Sequence, residues 1–295
     1  MRIGLVGCGR WGRYILRDLI SLGCDVTVVA RSPESKARAT AGGADSIVET
    51  VGELRGVSGI VVATPTSTHA AVIEQALAFD VPVFGEKPLT DDPKLARALA
   101  ELAGDRLFVM DKWRYHRGIE ALAAMARTGE YGSLKAIHSR RLSWGHDHDD
   151  VDAVWILIPH DLAIVREIAG SLPAVVGAVG TIWSKKFGSL TAMLGPEPAC
   201  TIEISSVSLI RERRVAVHFE DAVAQLTDAY SPSLEIVRLS SGESITVPLA
   251  DDMPLMRELA AFVDHLTDGP APRSSAAEGA EAVERIAELR ALAGI

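Results

Sequence analysis

The sequence predicts two domains, a doubly wound α/β domain followed by an α+β domain with a large, mostly antiparallel sheet. Three observations predict this. The chain has 295 residues, too many for one ordinary core and enough for two. Its first third alternates short apolar strands with helical patterns, the signature of a parallel sheet covered on both faces. From about residue 115 strands follow one another with few helices between them, as in an α+β domain. In order, Ile3, Leu5 and Val6 form a strand ending at Gly7, and Tyr14, Ile15, Leu19 and Leu22 recur at helical spacing. Strands follow at Asp25–Ala30, Gly59–Ala63, Val81–Phe84 and Leu107–Met110, with helices at Thr68–Ala78 and Pro93–Ala103. The first domain is thus 1–114 and the second 115–295. The second opens with a helix at Gly118–Thr128 and a turn at Gly129–Gly132. Strands are expected at Lys135–Leu142, Val175–Ile182, Cys200–Ser206, Arg214–Phe219, Ala222–Leu226 and Leu234–Leu239, interrupted by a helix at Asp161–Ala169. Two helices, Leu255–Leu266 and Ala276–Leu292, close the chain across a Pro/Gly-rich linker, and this segment (253–293) is a candidate to pack back on the first domain.

Composition narrows the function classes. Thirty basic against thirty-nine acidic residues give a net charge of −9, so a generally basic nucleic-acid surface is absent. Three cysteines (Cys8, Cys24, Cys200) without CxxC spacing read as reduced thiols, not a disulfide scaffold. No apolar run reaches the ~20 residues of a membrane span, and the N-terminus enters a strand without a signal-peptide pattern. A cytoplasmic protein with no membrane partner is expected.

The strongest local signal is Gly7-Cys8-Gly9-Arg10-Trp11-Gly12. A bare GxGxxG is weak, but this one follows a strand and opens an amphipathic helix. Gly7 permits the tight turn, Gly9 lets a pyrophosphate approach the backbone, and Gly12 lets helix and strand pack closely; Arg10 and Trp11 flank the same site. At the end of the second strand an NAD site usually carries an acid for the ribose hydroxyls. Here Val29-Ala30-Arg31-Ser32 supplies a guanidinium and a hydroxyl suited to a 2′-phosphate. NADP is favoured; NAD, with Glu34 reaching the ribose, is the alternative. Thr64-Pro65-Thr66-Ser67-Thr68-His69 and Gly85-Glu86-Lys87-Pro88 follow the ends of two parallel strands, where such sheets bind ligands. Lys87 there can hold a substrate hydroxyl and stabilise its developing alkoxide, or else form a structural ion pair with Glu86.

These motifs, with Trp113-Arg114-Tyr115-His116, the turn Thr128–Gly132 and the tail from Pro254 through Gly279, resemble the Gfo/Idh/MocA oxidoreductases (glucose–fructose oxidoreductase, inositol dehydrogenase). The resemblance implies a Rossmann domain plus a second domain whose open sheet supplies the substrate wall and often an oligomer interface, hence a homodimer or homotetramer. It implies an NAD(P)-dependent dehydrogenase acting on CH–OH groups of a sugar, cyclitol or nucleotide-sugar. It places Lys87 against the nicotinamide and substrate hydroxyl. It also expects a histidine acid/base within Asp-x-x-x-His at the head of a helix. His160 aligns with that histidine, but Ile156 occupies the aspartate position, as in a branch of polysaccharide and nucleotide-sugar biosynthesis reading Trp-x-x-x-Pro-His-Asp (Trp155 to Asp161).

Catalysis is therefore assigned to Lys87 and His160, a histidine being a good base near neutral pH. Cofactor contacts are expected from Gly7, Gly9, Arg10, Trp11, Gly12, Arg31, Ser32, Thr64, Pro65, Thr66, His69, Glu86, Lys87, Trp113 and Arg114. Substrate contacts are expected from Tyr115, Arg140, Trp155 and Asp161; Arg140 and Arg141 alternate along a strand, so at most one faces the site, where it can bind an anion. The run His146-Asp147-His148-Asp149-Asp150 has metal-ligand chemistry but no matching half elsewhere, and reads as a polar loop; no metal is expected. Two other classes share the scaffold: a catalytically silent dinucleotide-binding regulator, to which Ile156 points, and a reductase of a non-sugar carbonyl or imine.

Overall fold

The computed structural model describes residues 1–145, 148–186 and 188–295. It divides into two compact units, Met1–Lys112 with Met253–Val283 and Trp113–Asp252 with Glu284–Ile295.

Unit 1 is built on six parallel strands, β1 (Arg2–Val6), β2 (Asp25–Val29), β3 (Ser46–Val48), β4 (Gly59–Val62), β5 (Val83–Glu86) and β6 (Leu107–Met110). Their order is β3-β2-β1-β4-β5-β6, so the strand order reverses between β1 and β4, where doubly wound sheets bind dinucleotides. The helices are α1 (Gly12–Ser21), α2 (Pro33–Ala41), α3 (His69–Leu77) and α4 (Pro93–Ala103). Two elements escape the apolar pattern for physical reasons. Ala39 is the one buried residue of α2, so α2 has no stripe to read, and β3 has three residues, none fully buried.

The alternating domain does not end at a single cut. Helix α7 (Pro254–His265) returns to unit 1, where Leu255, Leu259 and Phe262 join a core with Ile15, Leu19 and Phe84. Phe262 stacks on Phe84 at 4.9 Å. The last helix, α8 (Ala276–Ala293), contributes to both units.

Unit 2 holds α5 (Arg117–Thr128), β7 (Leu134–Trp144), α6 (Ala153–Ala169), β8 (Ala174–Ile182), β9 (Gly188–Gly195), β10 (Ala199–Ser205), β11 (Val207–Phe219), β12 (Ala222–Leu226), β13 (Ser233–Arg238) and β14 (Ser244–Pro248). The eight strands run β14-β13-β12-β11-β7-β10-β9-β8 in one open sheet. All pairs are antiparallel except β7 with β10. Ile137, Ser139 and Arg141 of β7 are buried, while Ala136, His138 and Arg140 between and before them are half-exposed, the period-2 pattern of a sheet covered on one face. Strand β14 was not foreseen because it alternates only exposed and half-exposed residues at an edge.

Helix α6 corrects the expected start at Asp161. Asp152 caps it, accepting from the N–H groups of Val154 and Trp155, and the helix runs through Pro159. A helical interior proline removes one i to i−4 bond and kinks the helix, but burial of nearly every face of α6 outweighs that loss. His160 thus lies mid-helix, not at a helix head.

Phe262 is fully buried, so Phe262→Ala removes a stacked ring from the core and is expected to cost about 3–5 kcal/mol. Urea unfolding checks it; an unchanged midpoint would mean that α7 contributes nothing to this core.

Candidate active site

In unit 1 the glycine turn is sterically exact about its residues. Gly7 has φ +96°, and a Cβ there would lie 2.6 Å from the Ala63 carbonyl oxygen. A Cβ on Gly12 would lie 2.3 Å from the Gly7 carbonyl oxygen, whereas one on Gly9 would meet nothing within 4 Å. The turn therefore packs tightly on both flanks and is open in the middle, where a diphosphate needs backbone access. Ser32, Asp92 and Asp152 cap α2, α4 and α6; no side chain caps α1, and its first turn has no acid. The N–H groups of Arg13 and Tyr14 already close on the Gly9 and Trp11 carbonyls, so an anion there would be met by the positive end of the helix and the glycine turn that precedes it. These residues fit a dinucleotide.

The turn after β5 is tied to that loop by Glu86. The Trp11 indole N–H donates to Glu86 Oε1, and the Lys87 backbone N–H donates to Oε2 at 3.1 Å. The Lys112 ammonium lies 4.4 Å from the centre of the Trp11 ring, a cation–π contact. His69, also buried, bridges two carbonyls: Nδ1 meets Pro88 at 2.8 Å and Nε2 meets Thr64 at 2.9 Å. Both partners accept, so both contacts hold together when both ring nitrogens carry hydrogen. His69 and Glu86 thus clamp the loops after β4 and β5, which carry the buried Thr66 and the half-buried Lys87. Thr64 is half-buried, and Arg10, Pro65 and Arg31 are exposed. The Ser32 hydroxyl accepts from the Ser35 N–H at 3.1 Å.

Sequence reading missed Glu258. Leu255, Glu258, Leu259 and Phe262 form the buried face of α7; a carboxyl on an apolar stripe was the available signal. Burial, reinforced by the charges of Glu86 and Asp111, holds Glu258 well above the ordinary carboxyl range. Burial also raises Glu86, against the opposing influence of Lys87, Trp11 and Lys112.

In unit 2, Asp161 is fully buried and accepts from Ser139 (2.6 Å) and from Arg141 Nε (2.7 Å). Its carboxylate holds β7 to α6, so the placement corrects the expected substrate contact. Arg141 also lies 4.7 Å from the centre of the Trp113 ring, and Trp113 stacks on His116 at 5.1 Å. Of the two alternating arginines, Arg141 faces α6. Arg140 turns to the other sheet face, pairing with Glu203 at 2.8 Å and Glu212 at 2.9 Å. Arg114 pairs with Glu167 of α6 at 2.9 Å. Trp155 is buried beneath Arg290, whose guanidinium also bonds Asp152 at 2.6 Å. Tyr115 is buried. His160 is half-buried, one turn beyond the buried Ile156.

Among the described residues no cluster of three metal-ligating side chains forms; His146 and Asp147 lie outside them. No described helix is long and apolar enough to cross a membrane. The three cysteines are free and buried, and burial pushes the Cys200 thiol up to about 12.

Residues 1–109 match the Gfo/Idh/MocA model, described as an oxidoreductase family with an NAD-binding Rossmann fold. The chain is 28% identical over 253 residues to the UDP-N-acetylglucosamine 3-dehydrogenase of Acidithiobacillus ferrooxidans, across 84% of this chain and 79% of that protein. It is 27% identical over 322 residues to an inositol 2-dehydrogenase of Burkholderia vietnamiensis, across 99% of this chain and 94% of that protein. Levoglucosan dehydrogenase in complex with NADH and levoglucosan shares the fold, with a TM-score of 0.87 at 14% identity over 100% of this chain and 97% of that one.

Glu258 makes a pH-dependent prediction. A carboxyl whose folded pKa is raised stabilises fully below the unfolded pKa, and that contribution is lost as pH rises through the folded value. Glu258→Gln keeps the shape without the titration. Its melting temperature is expected to gain on wild type progressively from pH 5 to pH 9; a gap that stays constant with pH would refute the raised carboxyl.

Proposed function

Starting from a chain whose residues 1–109 match the NAD-binding Rossmann model of the Gfo/Idh/MocA oxidoreductases, we propose an enzyme that oxidises or forms a hydroxyl on a sugar, cyclitol or nucleotide-sugar. The observation that carries this is the glycine turn at the β1/β4 switch point, closed on both flanks, open at Gly9 and followed by an uncapped helix. Gly7, Gly9, Arg10, Trp11 and Gly12 would hold the diphosphate, and the loops clamped by His69 and Glu86 would border the nicotinamide. When bound, the dinucleotide supplies a two-electron hydride acceptor or donor. Lys87 bears part of the charge that develops on the substrate oxygen, and His160 takes that oxygen's proton or returns it in the reverse direction. Each is expected to lose at least ~10²-fold in kcat on substitution, as Lys87→Ala or His160→Asn. The assay is turnover of inositols, sugars and UDP-sugars with either cofactor. Should wild type turn over none of these while Ile156→Asp gains activity, the chain is instead the silent regulator to which Ile156 points.

For the cofactor we propose NADP over NAD. No acid ends β2, and Arg31 is exposed there. The Glu34 carboxyl is lowered first by its own backbone N–H and by the Ser32 hydroxyl and only then by Arg38, so the carboxylate is engaged at the head of α2 while the Arg31 guanidinium stays exposed. Fluorescence titration is expected to give tighter NADPH than NADH by ~1.5–3 kcal/mol, the contribution of one charge-assisted phosphate contact; equal affinities would favour Glu34 on the ribose and NAD.

The open face of the second sheet and its adjoining loops expose Trp144, Val176, Val179, Trp183 and Met193. Apolar residues gathered this way support burial against a second copy of the chain. Sedimentation velocity at micromolar concentration is expected to show a dimer or tetramer; a monomer would refute it.

A further inference from the structure

Arg213 is placed unlike the other guanidiniums of unit 2. In the β7–β11 register it lies directly opposite Arg141, so the two side chains share the sheet face that α6 covers. The neighbouring inward positions, Val215 and Val217, are buried apolar residues, which makes a half-buried arginine there an exception to the alternation.

Arg141 is consumed by Asp161 and by the face of Trp113. Among the described residues no carboxylate pairs with Arg213 in this way. Among the described residues its hydrogen bonds both leave from Nη1, to the carbonyls of Leu142 at 2.8 Å and Glu212 at 2.9 Å. The carbonyls fix the guanidinium without neutralising it. Charges within electrostatic reach are Arg141 and Arg211 on one side and Asp161 and Asp228 on the other. Together with Arg213 that makes three cations against two carboxylates, one of which is already committed. Burial and the Arg141 charge bring the Arg213 guanidinium down to about 10, still fully charged at neutral pH.

A half-buried, positioned, uncompensated guanidinium is costly unless an anion completes it. We propose that Arg213 forms an anion subsite for a negatively charged group carried by the substrate, a sugar carboxylate or a phosphoryl oxygen of a nucleotide-sugar. Trp113 lies against Arg141, the residue opposite Arg213, and Asp228 of the 227–231 turn is within electrostatic reach of Arg213. The subsite selects charged sugars over neutral cyclitols, and it deepens the substrate class proposed above.

The test uses calorimetry on wild type and on Arg213→Gln and Arg213→Lys. The probes are UDP, pyrophosphate and glucuronate, each compared with neutral uridine or glucose. Wild type is expected to bind at least one anionic probe at least about tenfold more tightly than its neutral counterpart. Arg213→Gln is expected to lose about tenfold or more of that affinity, the worth of one charge-assisted bond, while NADPH affinity stays unchanged. Arg213→Lys is expected to fall between. UDP preference marks a nucleotide-sugar, and glucuronate preference a sugar acid. Wild type that binds anionic and neutral probes alike overturns the proposal even if Arg213→Gln fails to fold, and so does a folded Arg213→Gln that keeps full affinity for the anion. Arg213-dependent binding without sugar turnover supports the subsite and refutes the sugar-oxidoreductase reading; turnover of neutral sugars with no anion preference does the reverse.

Discussion

A carboxyl buried at the end of β5 is largely withdrawn from solvent, so its two oxygens depend on the groups that surround them. Glu86 meets that demand with the indole of Trp11 on one side and the amide of Lys87 on the other. One donor lies in the glycine turn and the other in the loop that presents the candidate catalytic lysine. The need to satisfy one buried charge therefore registers the two loops against each other. Lys112 above the Trp11 ring and His69 between the carbonyls of Thr64 and Pro88 extend the same restraint to β6 and β4.

Unit 2 solves a related problem with the opposite charge first. Arg141 is buried beneath a helix, where a guanidinium without a counter-charge is costly, and Asp161 answers it from α6 with help from Ser139. Breaking such a buried pair leaves a bare charge and is typically worth 3–5 kcal/mol, although the intact pair adds little net stability. Its service is orientation. Asp161 is bonded to β7, so its neighbour His160 is carried on a helix whose rotation about its own axis is pinned.

Much of unit 1 was legible because its strands are apolar throughout and its glycines have steric jobs that no other residue can do. Gly7, with a positive φ, and Gly12, hard against a carbonyl, are readable from spacing and context alone. Where side chains meet other side chains the sequence was less informative. Nothing local says that Trp155 lies under Arg290 or that Arg114 meets Glu167, because those pairings are made by tertiary packing. Alternation correctly separates Arg140 from Arg141, but the side that faces the helix depends on sheet register. Glu258 and Arg213 went unread in the sequence, Arg213 because the expected strand began at Arg214; in the structure each is a charge at a position whose neighbours on the same face are apolar, the kind of exception that marks functional or strained sites.

Pro159 stands inside α6, immediately before His160. An interior proline costs a helix about 3 kcal/mol or more and deletes the amide that would close on the Trp155 carbonyl. An optimiser concerned only with melting temperature would replace it. The ring also removes a backbone rotation next to the candidate base, since its φ is locked. A library screened for thermostability and one screened for turnover should therefore diverge at this position, and a substitution that rigidifies the helix as a whole would loosen the one peptide unit that carries the imidazole.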